Sequence, residues 1–306
     1  MRFSPLVLAL LLGLPAAARA HSGSRGPGGE GGGADRIHKV EKLAEGAWVI
    51  TGQGGNMALF VTERSAVLVD DQFERIAPAL LEAIRGVTDR PLRYVINTHH
   101  HADHTGGNAT LEKHVHAIVA HANTRRRLLT QQAKLDPQRR GGLPTITFGE
   151  EDGMERARMT LHLEGTEVQL HHYASGHTDG DVMVGLPAQK VLHLGDLFFH
   201  GRTPVIDVES GGSIGGMIAN VEKVLSQVPD DVRLVAGHGP VGTRKDLARF
   251  RDFLRACEAH VKANPGQRGA ELARTFDRAA FPDYTDYAPF LTWEGFFETA
   301  AGRPRK

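Results

Sequence analysis

Between Asn97 and Gly107 the chain reads NTHHHADHTGG, which puts four histidines and an aspartate into the six positions His99 to His104. Imidazole and carboxylate ligate metal at neutral pH, and imidazole also moves protons there. The preceding residues YVINT read as the end of a buried strand. Side chains alternate along extended backbone, so His99 and His101 face one side and His100 the other. Two imidazoles on one side make two legs of a zinc site, at about 2.0 Å each. Asp103 and His104, past the bend, are free to reach a second metal.

A catalytic zinc takes three protein ligands and leaves one position open, so further donors must come from elsewhere. Three stand beside glycines: His177 in SGHTDGD, Asp196 in LHLGDLF and His238 in LVAGHGP. Glycine lets backbone and ligand approach a crowded centre closely. His171 and His172 on an expected strand, and His193 inside VLHLGD, read as structural or supporting side chains. His200 and Arg202, in FFHGRTP directly after Asp196, are candidates to line a substrate pocket.

These residues need a scaffold. Short apolar runs give strands over AWVIT (47–51), MALFV (57–61), AVLVD (66–70), LRYVINT (92–98) and HAIVA (116–120). A helix over RIAPALLEAIRG is expected to stop at Gly86. A second set follows in EVQLHHY (167–173), DVMVGL (181–186), KVLHLGD (190–196) and VRLVAGHG (232–239), with helices over 215–228 and 244–263. Two strand-rich halves that each also supply helices point to two sheets face to face with helices outside, an αββα sandwich. The basic stretch 125–144 reads as a helix and a surface loop with a solvated charged face. Residues 264–306, with Trp293, Phe296 and Phe297, read as a C-terminal helical extension packed on apolar surface.

The chain has 306 residues, enough for a full core without staples, and 36 basic against 36 acidic residues. With no basic stripe or acidic tail, nothing recommends nucleic acid or a membrane surface as partner, and a small-molecule substrate is expected. Arg2, an apolar run and small residues at Ala18 and Ala20 read as a signal peptide over 1–20, cleaved after Ala20, which implies a periplasmic or secreted protein. Residues 21–36 are glycine-dense and read as a flexible tether, leaving 37–306 as the folded domain. The single cysteine, Cys257, cannot form an internal disulfide and reads as a small buried apolar residue.

The ordered set His-x-His-x-Asp-His, then His177, Asp196 and His238, resembles the metallo-β-lactamase superfamily over Val40 to Ala263. The resemblance implies the αββα sandwich and a dinuclear centre. His99, His101 and His177 would hold one metal, Asp103, His104 and His238 the other, and Asp196 would lie between them. It also implies that Asp70 supports the metal loop, with Asp71 the weaker candidate for that role. Two zinc ions per chain are expected, with iron or manganese as the other metals this donor set admits. They would share a hydroxide at neutral pH, and Asp103 would orient it and accept its proton.

His104 together with Asp196 distinguishes the sequence from the best-known secreted β-lactamases and resembles the site of glyoxalase II, lactonases and ribonuclease Z. The expected reaction is hydrolysis of a lactam, lactone or ester, with β-lactamase-like activity included. Glyoxalase II is disfavoured by GPVGTRKD after His238, and ribonuclease Z by the neutral charge. The short loop GQGG (52–55) stands where the β-lactamases carry a flap and has no apolar tip. Two alternatives stay open: a mononuclear iron persulfide dioxygenase-like enzyme using His99, His177 and Asp196, and a non-catalytic periplasmic zinc-binding protein.

Overall fold

The computed structural model describes residues 37–149, 156–287 and 290–305. The expected signal peptide and tether lie outside them. Chain order is β1 (Lys39–Ala44), β2 (Ala47–Thr51), β3 (Met57–Val61), β4 (Ala66–Val69), α1 (Ala77–Val87), β5 (Leu92–Ile96), α2 (Ala102–Thr105), α3 (Asn108–Leu111), β6 (Ala117–His121), α4 (Ala122–Gln132) and β7 (Ile146–Phe148). Then come β8 (Ala157–Leu163), β9 (Thr166–His172), β10 (Met183–Leu186), β11 (Val191–His193), α5 (Ile214–Leu225), β12 (Arg233–Val235), α6 (Arg244–Ala263), α7 (Gly269–Thr275) and α8 (Trp293–Ala300).

The first sheet runs β1 to β7 in sequence order and the second runs β12-β11-β10-β9-β8. β1 to β4 pair antiparallel, whereas β4 to β7 pair parallel. Parallel pairing requires crossovers, and α1 supplies the one between β4 and β5. Strand β3 is buried on both faces: Ala58 and Phe60 meet the second sheet while Met57 and Leu59 meet the α1 side. The inter-sheet core holds Val67, Val69, Ile96 and Val119 against Val168, Leu170, Val184 and Val235. Leu80 and Ile84 of α1 cover the first sheet, and α5, α6 and the C-terminal helices cover the second. This is the αββα sandwich expected from the two strand sets.

Helix α1 does not stop at Gly86. It runs through to Val87 and ends where Thr88 turns extended, with the Thr88 N–H still donating to the Ile84 carbonyl. Gly86 is not in the left-handed region and a side chain there would meet open space, so nothing at that position interrupts the helix. The basic stretch after β6 is also not merely a solvated face. Arg127 grips Asp179 through Nε and Nη2, both at 2.7 Å, and Arg125 donates to the Pro144 carbonyl. Cys257 is fully buried.

The described residues from 264 to 305 extend the second core. Phe253 of α6 stacks on Tyr284 at 4.2 Å between ring centroids and lies edge-on to Trp293, while Phe296 and Phe297 are fully buried. Among the described residues no helix is long and apolar enough to cross a membrane.

Candidate metal centre

Strand β4 delivers Asp70 at its end with φ +61°, a left-handed conformation that strains most side chains and persists where the surroundings fix it. The surroundings here are two hydrogen bonds: Thr98 donates to Asp70 through its backbone N–H at 2.7 Å and its hydroxyl at 2.8 Å. Asp70 thereby locks the backbone just before His99. Its Oδ2 also lies 2.7 Å from His104 Nδ1. Asp71 points elsewhere and accepts from the Gly107 N–H at 2.9 Å. Burial first, and the Asp70 charge second, raise the Asp71 carboxyl well above its usual range.

His99 Nε2 and His177 Nε2 lie 3.1 and 3.0 Å from His101 Nδ1. On the other side His104 Nε2 and His238 Nε2 lie 3.6 and 3.3 Å from Asp103 Oδ2. Asp196 stands between the two clusters. Its Oδ2 is 3.5 Å from His177 and 3.9 Å from His99, and its Oδ1 is 3.2 Å from His104 and 3.5 Å from His238. The structure thus brings all seven donors named from the sequence into two adjoining clusters.

Whether cations fit there can be read from the buried donors. His104 Nε2 and Asp196 Oδ1 are fully buried and make no hydrogen bond among the described residues. Leaving such atoms unmet costs roughly 1–3 kcal/mol each, and a cation between them removes that cost. Protonation points the same way. Burial holds His99 well below its ordinary value and lowers His177 to about 4, so both present neutral lone pairs. Burial also opposes charge on His238, yet Asp196 and Asp103 raise it to about 9. Asp103 is disfavoured as an anion by burial, but His104 and His238 bring it down to about 2. Histidines that hold a proton against carboxylates in this way occupy the place a metal ion takes when it displaces those protons.

Each of the five imidazoles has its other nitrogen engaged. His99 Nδ1 meets Thr98 Oγ1 at 3.0 Å, and His101 Nε2 meets Asp207 Oδ2 at 2.9 Å. His177 Nδ1 donates to the Val205 carbonyl at 2.7 Å. His104 is held by Asp70, and His238 Nδ1 lies 2.8 Å from the Tyr287 hydroxyl. Such outer contacts fix ring orientation and tautomer. Asp207, Val205 and Tyr287 were not identified from the sequence. Asp207 sits 106 positions from the histidine it holds, and an aspartate in a turn carries no spacing that would single it out.

Two glycines admit the ligands. A Cβ at Gly55 would lie 2.2 Å from the His104 ring, and one at Gly237 would lie 2.1 Å from Asp196 Oδ1. Gly55 also donates to the Asp103 carbonyl, and Asn56 binds the Ala236 and Gly239 carbonyls, which ties the first half of the chain to the His238 turn. Asp181 secures the His177 turn by accepting from the His177 and Thr178 N–H groups at 2.7 and 3.0 Å. Burial pushes its own carboxyl up to about 7.

Asp103, His101, Asp196 and His238 open onto a cavity of about 780 Å³. His200 and Arg202 are not among its walls, contrary to expectation. The His200 ring stacks on Phe198 and its Nδ1 faces the Pro240 carbonyl at 3.0 Å. Arg202 lies over the Tyr287 ring, 4.9 Å from its centroid, and so backs the wall without forming it. His100 lies 3.4 Å from Ser210 Oγ and 3.7 Å from Asp207 Oδ2, the oxygen that His101 also meets. His193 joins Asn56 and Gly195, and His172 joins the Asp181 carbonyl, which makes both parts of the scaffold.

Residues 50–238, well over half of the chain, match the profile described as the Metallo-beta-lactamase superfamily. The chain is similar to the hydroxyacylglutathione hydrolase GloC of Haemophilus influenzae, with 28% identity over 193 residues, covering 63% of this chain and 88% of that protein. It is also similar to the type 2 metallo-beta-lactamase of Bacillus sp. strain 170, with 24% identity over 71% of this chain and 82% of the relative. Among solved structures it shares the fold of a metallo-beta-lactamase from Pontibacter korlensis, with TM-score 0.60 and 21% identity, covering 71% of this chain and 99% of that one.

Proposed function

The chain belongs to the metallo-beta-lactamase superfamily, and on that premise we propose that it is a dizinc hydrolase of acyl compounds such as a lactam, lactone, ester or thioester. The observation that carries the reading is Asp196, whose two oxygens face two separate donor clusters, each with its own histidines. Its similarity to a hydrolase of hydroxyacylglutathione and to β-lactamases supports an acyl carbon as the point of attack. A one-metal reading on His99, His177 and Asp196 leaves Asp103, His104 and His238 converging for no purpose, and this favours two metals over one.

Bound in the two clusters, divalent metal supplies Lewis acidity and a water that deprotonates near neutral pH. The chain's own part is positioning and proton transfer. Asp103, which faces His104 and His238 and is partly open to the cavity, would orient water and accept its proton. Asp70, Asp207 and Tyr287 keep the ligand rings aligned. Phe73, Val205 and Ile206 give the cavity an apolar lining that limits competing water.

The test is a panel of lactams, lactones, esters and thioesters offered to the metal-loaded chain and to Asp103→Asn. Turnover of at least one class is expected, with kcat lower by about 10²-fold or more in the variant, the range for loss of a positioned general base. Full activity in Asp103→Asn would contradict the assigned role, and no turnover of any class would contradict the function.

A further inference from the structure

The cavity over the metal centre has a wall that the matched family region does not supply. Tyr287, Phe290, Thr299, Pro304 and Arg305 all line it, and all lie beyond residue 238, where the family match ends. Phe290 is 70% exposed, the most exposed of the large apolar side chains among the described residues. An aromatic ring left open at the mouth of a polar site is a contact surface awaiting an apolar group. The wall around residues 53–75 supplies another ring, Phe73. The apolar tip that the loop 52–55 lacks is therefore present, on the C-terminal segment.

The same cavity carries two guanidinium groups. Arg75 lies 4.6 Å from the Phe73 ring centroid and donates from Nη2 to Gln53 Oε1 at 2.9 Å. Arg305 donates from Nη1 to the Phe290 carbonyl at 2.8 Å. Both are exposed, and neither forms an ion pair with a described carboxylate. Each is held by one neutral hydrogen bond that orients it and leaves most of its N–H donors open, the state in which a guanidinium takes a carboxylate bidentately. Of the wall's acidic residues, Asp103 and Asp196 serve the metal clusters and Asp207 holds His101. Glu209 is the remaining carboxylate of the wall, and no ion pair joins it to either arginine.

Building on the function proposed above, we propose that the C-terminal segment selects the substrate: an acyl compound with an aromatic or other flat apolar group next to the scissile carbonyl and a carboxylate at its far end. Phe290, Tyr287 and Phe73 contact the apolar group, and Arg305 with Arg75 binds the carboxylate.

The experiment uses two nearly isosteric esters, 4-carboxyphenyl butyrate and 4-carbamoylphenyl butyrate, with the metal-loaded full chain, Arg75→Gln, Arg305→Gln, the double variant and Arg305→Lys. The native chain should prefer the carboxylate ester by about tenfold in kcat/KM, the scale of two partly exposed ion pairs, carried by KM. The double variant should reduce the preference to about twofold or less, and Arg305→Lys, which keeps the charge and loses the bidentate fork, should fall between the two. Both arginines are exposed, so loss of folding does not confound the variants. A second arm, equilibrium dialysis with 4-hydroxybenzoate against 4-hydroxybenzamide, needs no turnover. If neither ester is hydrolysed, ester hydrolysis fails while the dialysis still decides the selection. Equal preference in the native chain and the double variant, in kinetics or in dialysis, would overturn the proposal.

Discussion

At the scale of single residues, the seven candidate metal donors divide the work with partners that hold them. Asp70, Asp207 and Tyr287 each grip the outer nitrogen of one ligand imidazole, and losing such a partner typically lowers metal affinity by about 10- to 100-fold. Asp70→Asn should sit at the upper end, because Asp70 also fixes the backbone at Thr98. Tyr287→Phe should sit at the lower end, since it removes one hydroxyl and leaves the ring against His238 and Phe199. Competition against a chelator of known affinity reads both, and unchanged affinity in Asp70→Asn would contradict this account of the loop. The donors themselves were legible because their chemistry is bunched in HHHADH and marked elsewhere by glycine-flanked turns. Their outer partners were not, because a hydrogen bond from His238 to Tyr287 spans 49 positions and leaves no local pattern. His200 shows the converse error: adjacency to Asp196 in sequence did not place it in the cavity, because its ring turns onto Phe198.

At the scale of elements, the site depends on strand ends and on the turns that follow them. β4, β5, β11 and β12 each end at the same edge of the sandwich, and their next residues carry Asp70, the 97–104 loop, Asp196 and His238. Glycine has different meanings within this frame. Gly55→Ala and Gly237→Ala would drive a methyl into His104 and Asp196, so each should lose metal binding by at least tenfold while the fold persists. Gly86→Ala, in the last turn of α1 with open space around it, should instead stabilise the protein by about 0.5–1 kcal/mol. Thermal melts with metal titrations separate the three variants, and a neutral Gly55→Ala would refute the crowding argument. Most strands could be read from apolar runs. β1, β7 and β8 escaped notice: β1 is exposed or half-buried throughout, β7 is three residues long, and β8 alternates half-buried with exposed positions, and such edge strands resemble loops.

At the scale of the whole molecule, the two halves meet at the candidate metal centre as well as in the core. The first half contributes His99, His101, Asp103 and His104, and the second contributes His177, Asp196 and His238. Asn56 ties one to the other across 180 positions or more. The αββα architecture was visible because strand-rich halves with outer helices have few other ways to bury both faces. The role of residues 264–305 was visible only in part: their aromatic packing followed from composition, whereas their place in the cavity wall follows from where α6 ends and the chain folds back over the site. The central claim is that Asp196 joins two metal positions built from both halves. Elemental analysis of the purified chain after exhaustive dialysis tests it most directly, together with a His104→Ala, His238→Ala double variant. The account requires about two equivalents of metal per chain, falling to about one in the double variant, since the three histidines of the other cluster remain. A single equivalent in the native chain, or two in the double variant, would contradict it.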